Sequence, residues 1–458
     1  MTITPTDLIA AGMKPGKFFP AAVQAANETL AEGGSFDEAI DAARLLQAPP
    51  VMPLHPLRHL SFYSNIVAAN EAEQANVDAV TASMEELMRT PVVVAGAIMP
   101  DACPAGPLGT IPVGGVVASR AIHPGMHSAD ICCSMSLSVM PGTDPKALLD
   151  AVQEVTHFGP GGRKGENVVK MPEWIVDEFK KNFLLNDKLE LARSNFATQG
   201  DGNHFAYVGK LKSTGETVLV THHGSRGPGA ALYKDGMRIA EKTRQRLSPA
   251  TLKQNAWIEP ETKDGKEYWE ALQALRAWIK ASHQAIHRMA AKKVGGEITR
   301  REFNEHNFVF LRDGLYYHAK GATPAFAGYA ADDTGITIIP LNMSQPILLV
   351  RGLDAANGLG FSPHGAGRNF SRTQHKRNLA GRTDEEIFAE ETKGIDARFY
   401  MGMTDISELP SAYKDAAAVR GQIEAYCLAE IVDEVLPYGS IMAGDWEKDA
   451  PWRKPKVA

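Results

Sequence analysis

The sequence has few cysteines, no long apolar run and no excess of positive charge. Its 458 residues include four cysteines, too few for a disulfide framework, so we expect them to bind metal or to be buried. A net charge of -6 excludes diffuse polyanion binding, and any nucleic-acid contact requires a local concentration of basic groups. Because we find no signal peptide, lipidation motif or long uncharged apolar run, we expect a cytoplasmic protein without a membrane partner.

The composition is that of a soluble enzyme, and the length exceeds one ordinary domain. The first 60 residues predict a small helical extension, with one helix over residues 18–31 and a second begun by a capping box of Ser35 and Glu38. Four prolines, at positions 49, 50, 53 and 56, indicate a stiff linker. We assign residues 61–458 to one catalytic domain.

The remaining pattern mixes short strands with helices and predicts an α+β fold. Strands are expected near residues 92–97, 113–118, 131–139, 217–221, 337–340 and 346–351. Helices are expected over 65–88, 234–247 and 266–293, and residues 383–436 are interpreted as largely helical. The helix over 266–293 carries His283 and His287 at i and i+4. Since no further ligand stands beside them, we interpret this pair as a solvated face rather than a metal site.

Residues 362–372 place His364 before a Gly-Ala-Gly turn and two arginines, Arg368 and Arg372, after it. Small residues beside an imidazole let a bulky polyanion approach the ring and the backbone N–H groups, and guanidinium groups hold phosphate oxygens. A histidine in this position can attack phosphorus and carry a nucleotide covalently. The alternative is a glycine turn with one solvated histidine and two surface arginines.

Candidate metal ligands occur at strand ends and in glycine-rich loops. One carboxylate, one thiol and three imidazoles are too many for a single tetrahedral ion and suit two adjacent divalent metals, with the thiolate as a bridge. Mn²⁺ and Zn²⁺ both fit such donors. The residues are Asp130, Cys133, His204, His222 and His306.

Taken together and in order, these motifs resemble the RtcB family of RNA ligases across about residues 90–444. The matching segments are Asp130-x-x-Cys133, Gly202-Asn203-His204-Phe205, His222-x-Gly224-Ser225-Arg226-Gly227, His306-Asn307, Lys320-Gly321-Ala322-Thr323 and His364-Gly365-Ala366-Gly367-Arg368. The resemblance implies an RtcB-like fold with a β-rich central core, glycine-rich active-site loops and surrounding helices.

It also implies a ligase for RNA 3′-phosphate and 5′-hydroxyl ends, from tRNA or damaged RNA, that uses GTP and two Mn²⁺ ions. By this resemblance His364 would carry GMP, and a 2′,3′-cyclic phosphate would first be hydrolysed. The five candidate ligands would hold the metals. Residues expected to contact the nucleotide are Asn203, Asn342, Gly365, Ala366, Gly367, Arg368 and Tyr413. Residues expected to hold RNA or phosphate are Arg226, Lys320 and Arg372. An activating protein partner stays open.

Several positions depart from the family pattern. Both glycines of Asp-Val-Gly-Cys-Gly-Met are replaced, by Cys132 and Ser134, so we expect a differently shaped turn. Cys103 stands where the family has histidine. Tyr207 replaces a glutamate of the base pocket, and Ala443 replaces the lysine before the final glycine, after which this chain continues. Losing a carboxylate that accepts from guanine predicts an altered or relaxed nucleotide preference.

Three alternatives remain beside the ligase. The first is a related metal-dependent enzyme that transfers phosphoryl groups or trims nucleic-acid ends. The second is a non-catalytic nucleic-acid-binding homologue, against which the complete ligand set and His364 weigh. The third is an unrelated metallo-hydrolase, for which Asp101 would be the candidate base.

Overall fold

The computed structural model describes residues 2–47 and 50–445. The chain forms two compact units, one from Met1–Pro53 with Arg244–Ala250 and the other from Leu54–Thr243 with Thr251–Ala458. Pro49 of the expected linker and the residues from 446 onward, where the chain continues past the family's end, lie outside the described residues. That residues 1–60 form an extension separate from a catalytic domain stays a prediction.

The first unit contains a small helical cluster with its own apolar core. Ser35 begins its third helix as expected, because its side chain accepts from Glu38 N while the Glu38 carboxylate accepts from Ser35 N at 2.7 Å. Leu8, Ala22 and Ile40 are among the residues that pack between the helices. The helices are α1 (Pro5–Ala10), α2 (Phe19–Ala31) and α3 (Phe36–Leu45).

The remaining elements combine helices with many strands. No helix in the described part of the chain is long and apolar enough to cross a membrane. The helices are α4 (Glu71–Leu87), α5 (Pro124–His127), α6 (Pro145–Val155), α7 (Glu173–Lys181), α8 (Leu189–Asn195), α9 (Arg226–Leu247), α10 (Lys263–Val294), α11 (Arg372–Asn378), α12 (Asp384–Glu391) and α13 (Ala416–Ala425). The strands are β1 (Tyr63–Ser64), β2 (Val93–Cys103), β3 (Val113–Ser119), β4 (Ser134–Met140), β5 (Phe205–Leu211), β6 (Thr217–His223), β7 (Arg300–Glu305), β8 (Asn307–Arg312), β9 (Leu315–Lys320), β10 (Ala322–Pro324), β11 (Ile336–Ile339), β12 (Ile347–Gly352), β13 (Phe361–Pro363), β14 (Asp396–Phe399) and β15 (Ala429–Met442).

Two sheets dominate the second unit. The larger runs in the order β11-β12-β15-β5-β6-β4-β7, with β14 pairing with β15, and the smaller runs β1-β2-β3-β9-β8. A short pair, β10 and β13, leads into the glycine turn at His364. Most neighbours are antiparallel. The expected α+β class with a β-rich centre and surrounding helices is confirmed.

The prediction that residues 383–436 are largely helical is wrong. Helices α12 and α13 are present, but β14 lies between them and residues 429–442 form the longest strand described. Strand β15 pairs with β12 on one side and β5 on the other, so its backbone groups bond to both neighbours. Its β-branched residues Ile431, Val432 and Val435 also favour a strand.

His283 and His287 are wholly buried, and their assignment to a solvated face is wrong. Helix α10 packs against β4 and β6, which present hydroxyl groups to both rings. Thr221 Oγ1 lies 2.6 Å from His283 Nδ1 and 2.8 Å from His287 Nε2. Ser138 Oγ lies 2.7 Å from His287 Nδ1, and Ser134 Oγ lies 3.2 Å from His283 Nε2. These hydroxyls lie 62 to 149 residues away in sequence, so the helical pattern carried no sign of them.

Candidate active site

A cavity of about 370 Å³ in the second unit collects most of the residues that the sequence singled out. Its wall joins the ends of the large-sheet strands to the turn at His364. The predicted residues that line it are Asp130, Cys133, Asn203, His222, His306, Lys320, Asn342, His364, Gly365, Ala366, Gly367, Arg368, Arg372 and Tyr413. His204 contacts Cys133 at the edge of this set, and Arg226 lies outside the wall.

His364 is oriented by a buried carboxylate. Its Nδ1 lies 2.6 Å from Asp101 Oδ2, and the Asp101 side chain has no exposed surface. The pair assigns the Nδ1 proton to the hydrogen bond with Asp101 and leaves the Nε2 lone pair for other chemistry. Asp101 lies in β2, far from His364 in sequence, and we had considered it only as the base of an unrelated hydrolase. Its role as the partner of His364 is the first feature of the site that sequence reasoning missed.

The turn after His364 depends on glycine at one position. Gly367 has φ +73°, and a Cβ there would collide with the Asp101 carbonyl. The turn therefore lies directly against the strand that carries Asp101, which only glycine allows. The same close approach explains why the histidine and its carboxylate meet.

The five candidate ligands form two groups that share the Cys133 sulfur. One group contains Cys133, His222 and His306, and the other contains Asp130, Cys133 and His204. Cys133 Sγ lies 3.2 Å from His222 Nε2 and 3.5 Å from His204 Nε2. His222 Nε2 and His306 Nε2 are 3.1 Å apart, and His204 Nε2 is 3.3 Å from Asp130 Oδ2. Within each group all ligand atoms lie within 4.8 Å of one another.

Strand pairing brings these ligands together. Residues of β4 and β6 pair so that Met135 faces His222, and Phe205 of β5 faces His222 from the other side. His306 N donates to Cys133 O at 2.9 Å. Cys132 has φ +55°, so it adopts the left-handed conformation that a glycine would take there. At this position the backbone keeps a glycine-like turn despite the substitution.

Burial sets the protonation of the ligand groups. Burial, with the nearby His204 and His364, lowers the pKa of His222 to about 3, and the pKa of His306 also lies well below its ordinary value. Burial and the charge of Asp130 raise the pKa of the Cys133 thiol well above its ordinary range. Neutral imidazoles with converging nitrogens, beside a thiol that only a cation would deprotonate, are the donors that a divalent metal needs. The residues fit such an ion.

The two arginines after His364 share one buried carboxylate. Arg368 Nη2 lies 2.5 Å from Glu408 Oε2, and Arg372 Nε lies 2.7 Å from Glu408 Oε1. Tyr413 also donates to Glu408 Oε2, at 2.6 Å. Glu408 is 1% exposed and lines the cavity. It is the second residue that we missed, because its sequence neighbourhood has no motif that points to a site.

The other predicted polar residues occupy different parts of the site. Lys320 lines the cavity, and burial lowers the pKa of its ammonium. Asn203 O accepts from His222 Nδ1 at 3.1 Å, which directs the Nε2 of His222 toward Cys133. The Asn342 carboxamide accepts from Ser344. Arg226 donates to backbone and side-chain oxygens of a neighbouring loop.

The family model described as tRNA-splicing ligase RtcB matches residues 173–443, more than half of the chain. The chain belongs to the RtcB family. It is 24% identical over 408 residues to the tRNA-splicing ligase RtcB of Aeropyrum pernix, which covers 72% of this chain and 84% of the relative. The RNA-splicing ligase RtcB1 of Escherichia coli is 26% identical over 353 residues, covering 67% of this chain and 81% of that protein.

A third RtcB relative shows how coverage varies. The tRNA-splicing ligase RtcB of Methanococcus maripaludis is 28% identical over 305 residues, which cover 57% of this chain and 60% of the relative. For Archaeoglobus fulgidus the match covers 59% of the relative at 26% identity. This chain is therefore a divergent RtcB family member.

Tyr207, one of the departures from the RtcB pattern, lines the cavity. Tyr207 of β5 pairs with Ser440 of β15, and its hydroxyl donates to Val435 O at 3.0 Å. Ala443 packs into a separate apolar cluster, whereas Met442 lines the cavity. Met442 thus contributes to the cavity wall from this strand, and the expected effect of Ala443 on nucleotide preference stays a prediction.

Ser440 and Cys103 are two further residues of the cavity wall. Ser440 Oγ is buried without a hydrogen-bond partner among the described residues, and Ser440 lines the cavity. Cys103 also lines the cavity, but neither ligand group found among the described residues includes it. Burial raises the pKa of the Cys103 thiol.

Proposed function

We propose that this chain is an RNA ligase that joins 3′-phosphate and 5′-hydroxyl ends through a His364–GMP intermediate. The observation that carries the proposal is the 2.6 Å pairing of His364 with buried Asp101, at the wall of a cavity that four of the five candidate ligands also line. Family membership and the names of the RtcB relatives support an RNA substrate such as tRNA, and we extend the proposal to damaged RNA.

The first step forms the carrier. Nε2 of His364 attacks the α-phosphorus of GTP, a P–N bond forms, and the bond to pyrophosphate breaks. Asp101 holds the Nδ1 proton throughout and stabilises the positive ring that results. Lys320 and the two arginines contribute positive charge against the phosphates.

The later steps transfer the guanylate and seal the strand. An oxygen of the RNA 3′-phosphate attacks the phosphorus on His364, the P–N bond breaks, and the histidine is regenerated. The 5′-hydroxyl of the second RNA then attacks the activated phosphate, a phosphodiester forms and GMP leaves. A 2′,3′-cyclic phosphate would first be opened by water to the 3′-phosphate.

Divalent ions are part of this proposal. Two Mn²⁺ ions, or Zn²⁺, would be held by Asp130, Cys133, His204, His222 and His306 and would neutralise the phosphate charge. Asn203 positions His222, and the turn at 365–367 leaves room for the phosphates beside the ring.

Incubation with α-³²P GTP and Mn²⁺ tests the carrier. Wild-type protein should acquire an acid-labile, base-stable label, and His364→Ala should acquire none. A pair of RNA strands with 3′-phosphate and 5′-hydroxyl ends should then be joined. Labelling without joining would favour a related phosphoryl-transfer or end-processing enzyme, and absence of any label would refute the carrier.

We also propose that the nucleotide preference is relaxed. With its phosphates at His364, a nucleotide would place its base at the part of the cavity that is lined by Phe205, Tyr207, Ser440 and Met442. The Tyr207 hydroxyl is already bonded, so Ser440 Oγ offers a buried partner that can donate or accept. Label from α-³²P ATP should therefore reach a level within about tenfold of that from GTP. Strict labelling by GTP alone would contradict this.

A further inference from the structure

A second cavity, of about 470 Å³, lies beside the loop of residues 156–167. No role in the proposed chemistry has been given to its residues. The wall consists of Glu154, Thr156, His157, Pro160, Gly161, Gly162, Arg163, Lys164, Asn167 and Tyr400. Three properties of this wall point to one class of ligand.

The first property is its connection to the candidate active site. Gly159 N donates to Gly200 O at 2.7 Å, and Gln199 N donates to His157 O at 2.8 Å. The loop bonded in this way continues directly into Asn203 and His204. Arg226 Nη2 donates to Gly159 O at 3.0 Å. A Cβ at Gly200 would collide with Arg226 and lie 3.0 Å from His204 Nδ1, so Gly200 lies against both side chains.

The second property is a positive local charge. Lys164 is exposed at the cavity, and Arg163 donates from Nε and Nη2 to Ala197 O at 3.1 and 2.7 Å. The one carboxylate of the wall, Glu154, is paired with Lys293. Cations therefore outnumber unpaired anions at the wall, although the whole chain is acidic. Such a site attracts a phosphate.

His157 is part of the same wall and lies close to these positive charges. Its Nε2 is buried without a hydrogen-bond partner among the described residues. Burial, followed by the charges of Arg163 and Arg226, lowers the pKa of this imidazole. A neutral ring at this point is free to donate to, or accept from, a polar group of a ligand.

The third property is an aromatic wall. The Tyr400 ring lies 5.7 Å from the Phe158 ring, and its hydroxyl donates to Thr156 O at 3.4 Å. The ring is thus held in place while part of its surface stays accessible. Aromatic faces that stack bases, combined with lysine and arginine that hold the backbone, are how proteins bind single-stranded RNA.

We propose that this cavity binds the RNA strand next to the end being joined, with a phosphodiester at Lys164 and Arg163 and a base against Tyr400. Arg226 then links the cavity to the loop of Asn203 and His204, so one strand can occupy both. The inference rests on the proposed function, because it assigns a strand to the substrate that the ligase would act on.

Binding of single-stranded RNA by the full chain tests the assignment. The probes are two fluorescent octamers, one with a 3′-phosphate and one with a 5′-hydroxyl, measured by anisotropy at several KCl concentrations. Lys164→Ala should weaken the binding of at least one octamer and reduce the slope of log K against log salt by about 0.7, the value for one lost contact to single-stranded phosphate. Lys210→Ala, at an exposed lysine on the far part of β5, is the matched control and should change neither.

A second pair of variants separates stacking from folding. Tyr400→Ala should weaken RNA binding about tenfold, whereas Tyr400→Phe, which keeps the ring, should bind nearly as well as wild type. Labelling of His364 from α-³²P GTP should be unchanged in all these variants, because that step needs no RNA. Unchanged binding of both octamers by Lys164→Ala and Tyr400→Ala would overturn the assignment.

Two outcomes distinguish the failures. If wild-type protein neither labels nor joins RNA, the proposed function fails. If wild type labels and joins while the cavity variants bind RNA normally, only the present inference fails. A nucleoside 3′-phosphate serves as the short probe. If Lys164→Ala weakens binding of this short probe by the same factor as binding of the octamers, the cavity is a site for isolated phosphate. That result would also overturn the assignment to an RNA strand.

Discussion

Two sets of histidines in this molecule are equally buried and differ in their partners. His222 and His306 in the candidate active site, and His283 and His287 on α10, are all at most 3% exposed. The pKa of His222 and that of His287 are both lowered to about 3, by burial first. The α10 rings have hydroxyl partners for every ring nitrogen, whereas His222 and His306 direct nitrogens at each other and at a thiol.

The comparison teaches that burial and a low pKa do not identify a functional histidine. What separates the sets is the chemistry of their neighbours. Hydroxyl groups that hydrogen-bond to both nitrogens of a neutral imidazole satisfy the ring, so such a histidine has a structural role. Ring nitrogens whose lone pairs face one another can instead bind a cation placed between them.

The largest expected effect concerns the third kind of histidine partner, the carboxylate at His364. Asp101→Asn should preserve the fold but favour the wrong tautomer, so the rate of labelling from GTP should fall about a thousandfold or more. Single-turnover labelling measures this. Asp101→Glu, which keeps the charge, should retain more activity than the asparagine variant. Equal activity in wild type and Asp101→Asn would remove the positioning role.

The next effect tests the ligand set directly. His222→Ala should reduce bound divalent metal and lower the labelling rate by at least about 100-fold, since losing a ligand exceeds the loss of a supporting residue. Metal content by mass spectrometry after dialysis checks it. His287→Ala, on the other side of the comparison, should retain its metal. If both variants lost metal equally, the division between the two sets would be wrong.

A smaller effect is expected in stability. His287→Ala leaves Ser138 and Thr221 hydroxyls without one partner each and opens a void, so the free energy of unfolding should fall by about 2 kcal/mol. Chemical denaturation measures it. His59→Ala, at an exposed imidazole, should change stability by less than about 0.5 kcal/mol. A similar loss in both variants would show that the buried network contributes nothing specific.

A related effect is a change in the pH dependence of stability. His287 takes up a proton near pH 6.5 when unfolded but only near about 3 when folded. Between these values, falling pH favours the unfolded state, so this residue lowers the free energy of unfolding by about 1.4 kcal/mol for each pH unit. His287→Gln should therefore show a shallower loss of stability between pH 6 and pH 4. An unchanged slope would mean that this ring is not kept neutral by the fold.

Much of the site was accessible from sequence because its motifs are local and lie at strand ends. Asp130 and Cys133 are separated by two residues, and His204, His222 and His306 lie at or next to the ends of strands. The α+β class followed from the same alternation of strands and helices. The RtcB resemblance supplied the order of these segments.

What could not be predicted depends on pairs that are distant in sequence. Asp101 and His364 are 263 residues apart, and nothing local marks Glu408 as the shared partner of two arginines. The burial of His287 depends on hydroxyls of another element. The error at residues 383–436 arose because the pairing of β15 with β12 and β5, rather than local preference, makes residues 429–442 a strand.

Cys133 belongs to both ligand groups, and this has a consequence for redox chemistry. With its pKa raised by burial, the protonated thiol is a poor nucleophile and reacts slowly with oxidants. Binding of a cation creates the thiolate, so occupation of either group would prepare the sulfur for the other. Both groups depend on this one sulfur atom. Oxidation of Cys133 to a sulfinic acid would therefore disable both groups at once.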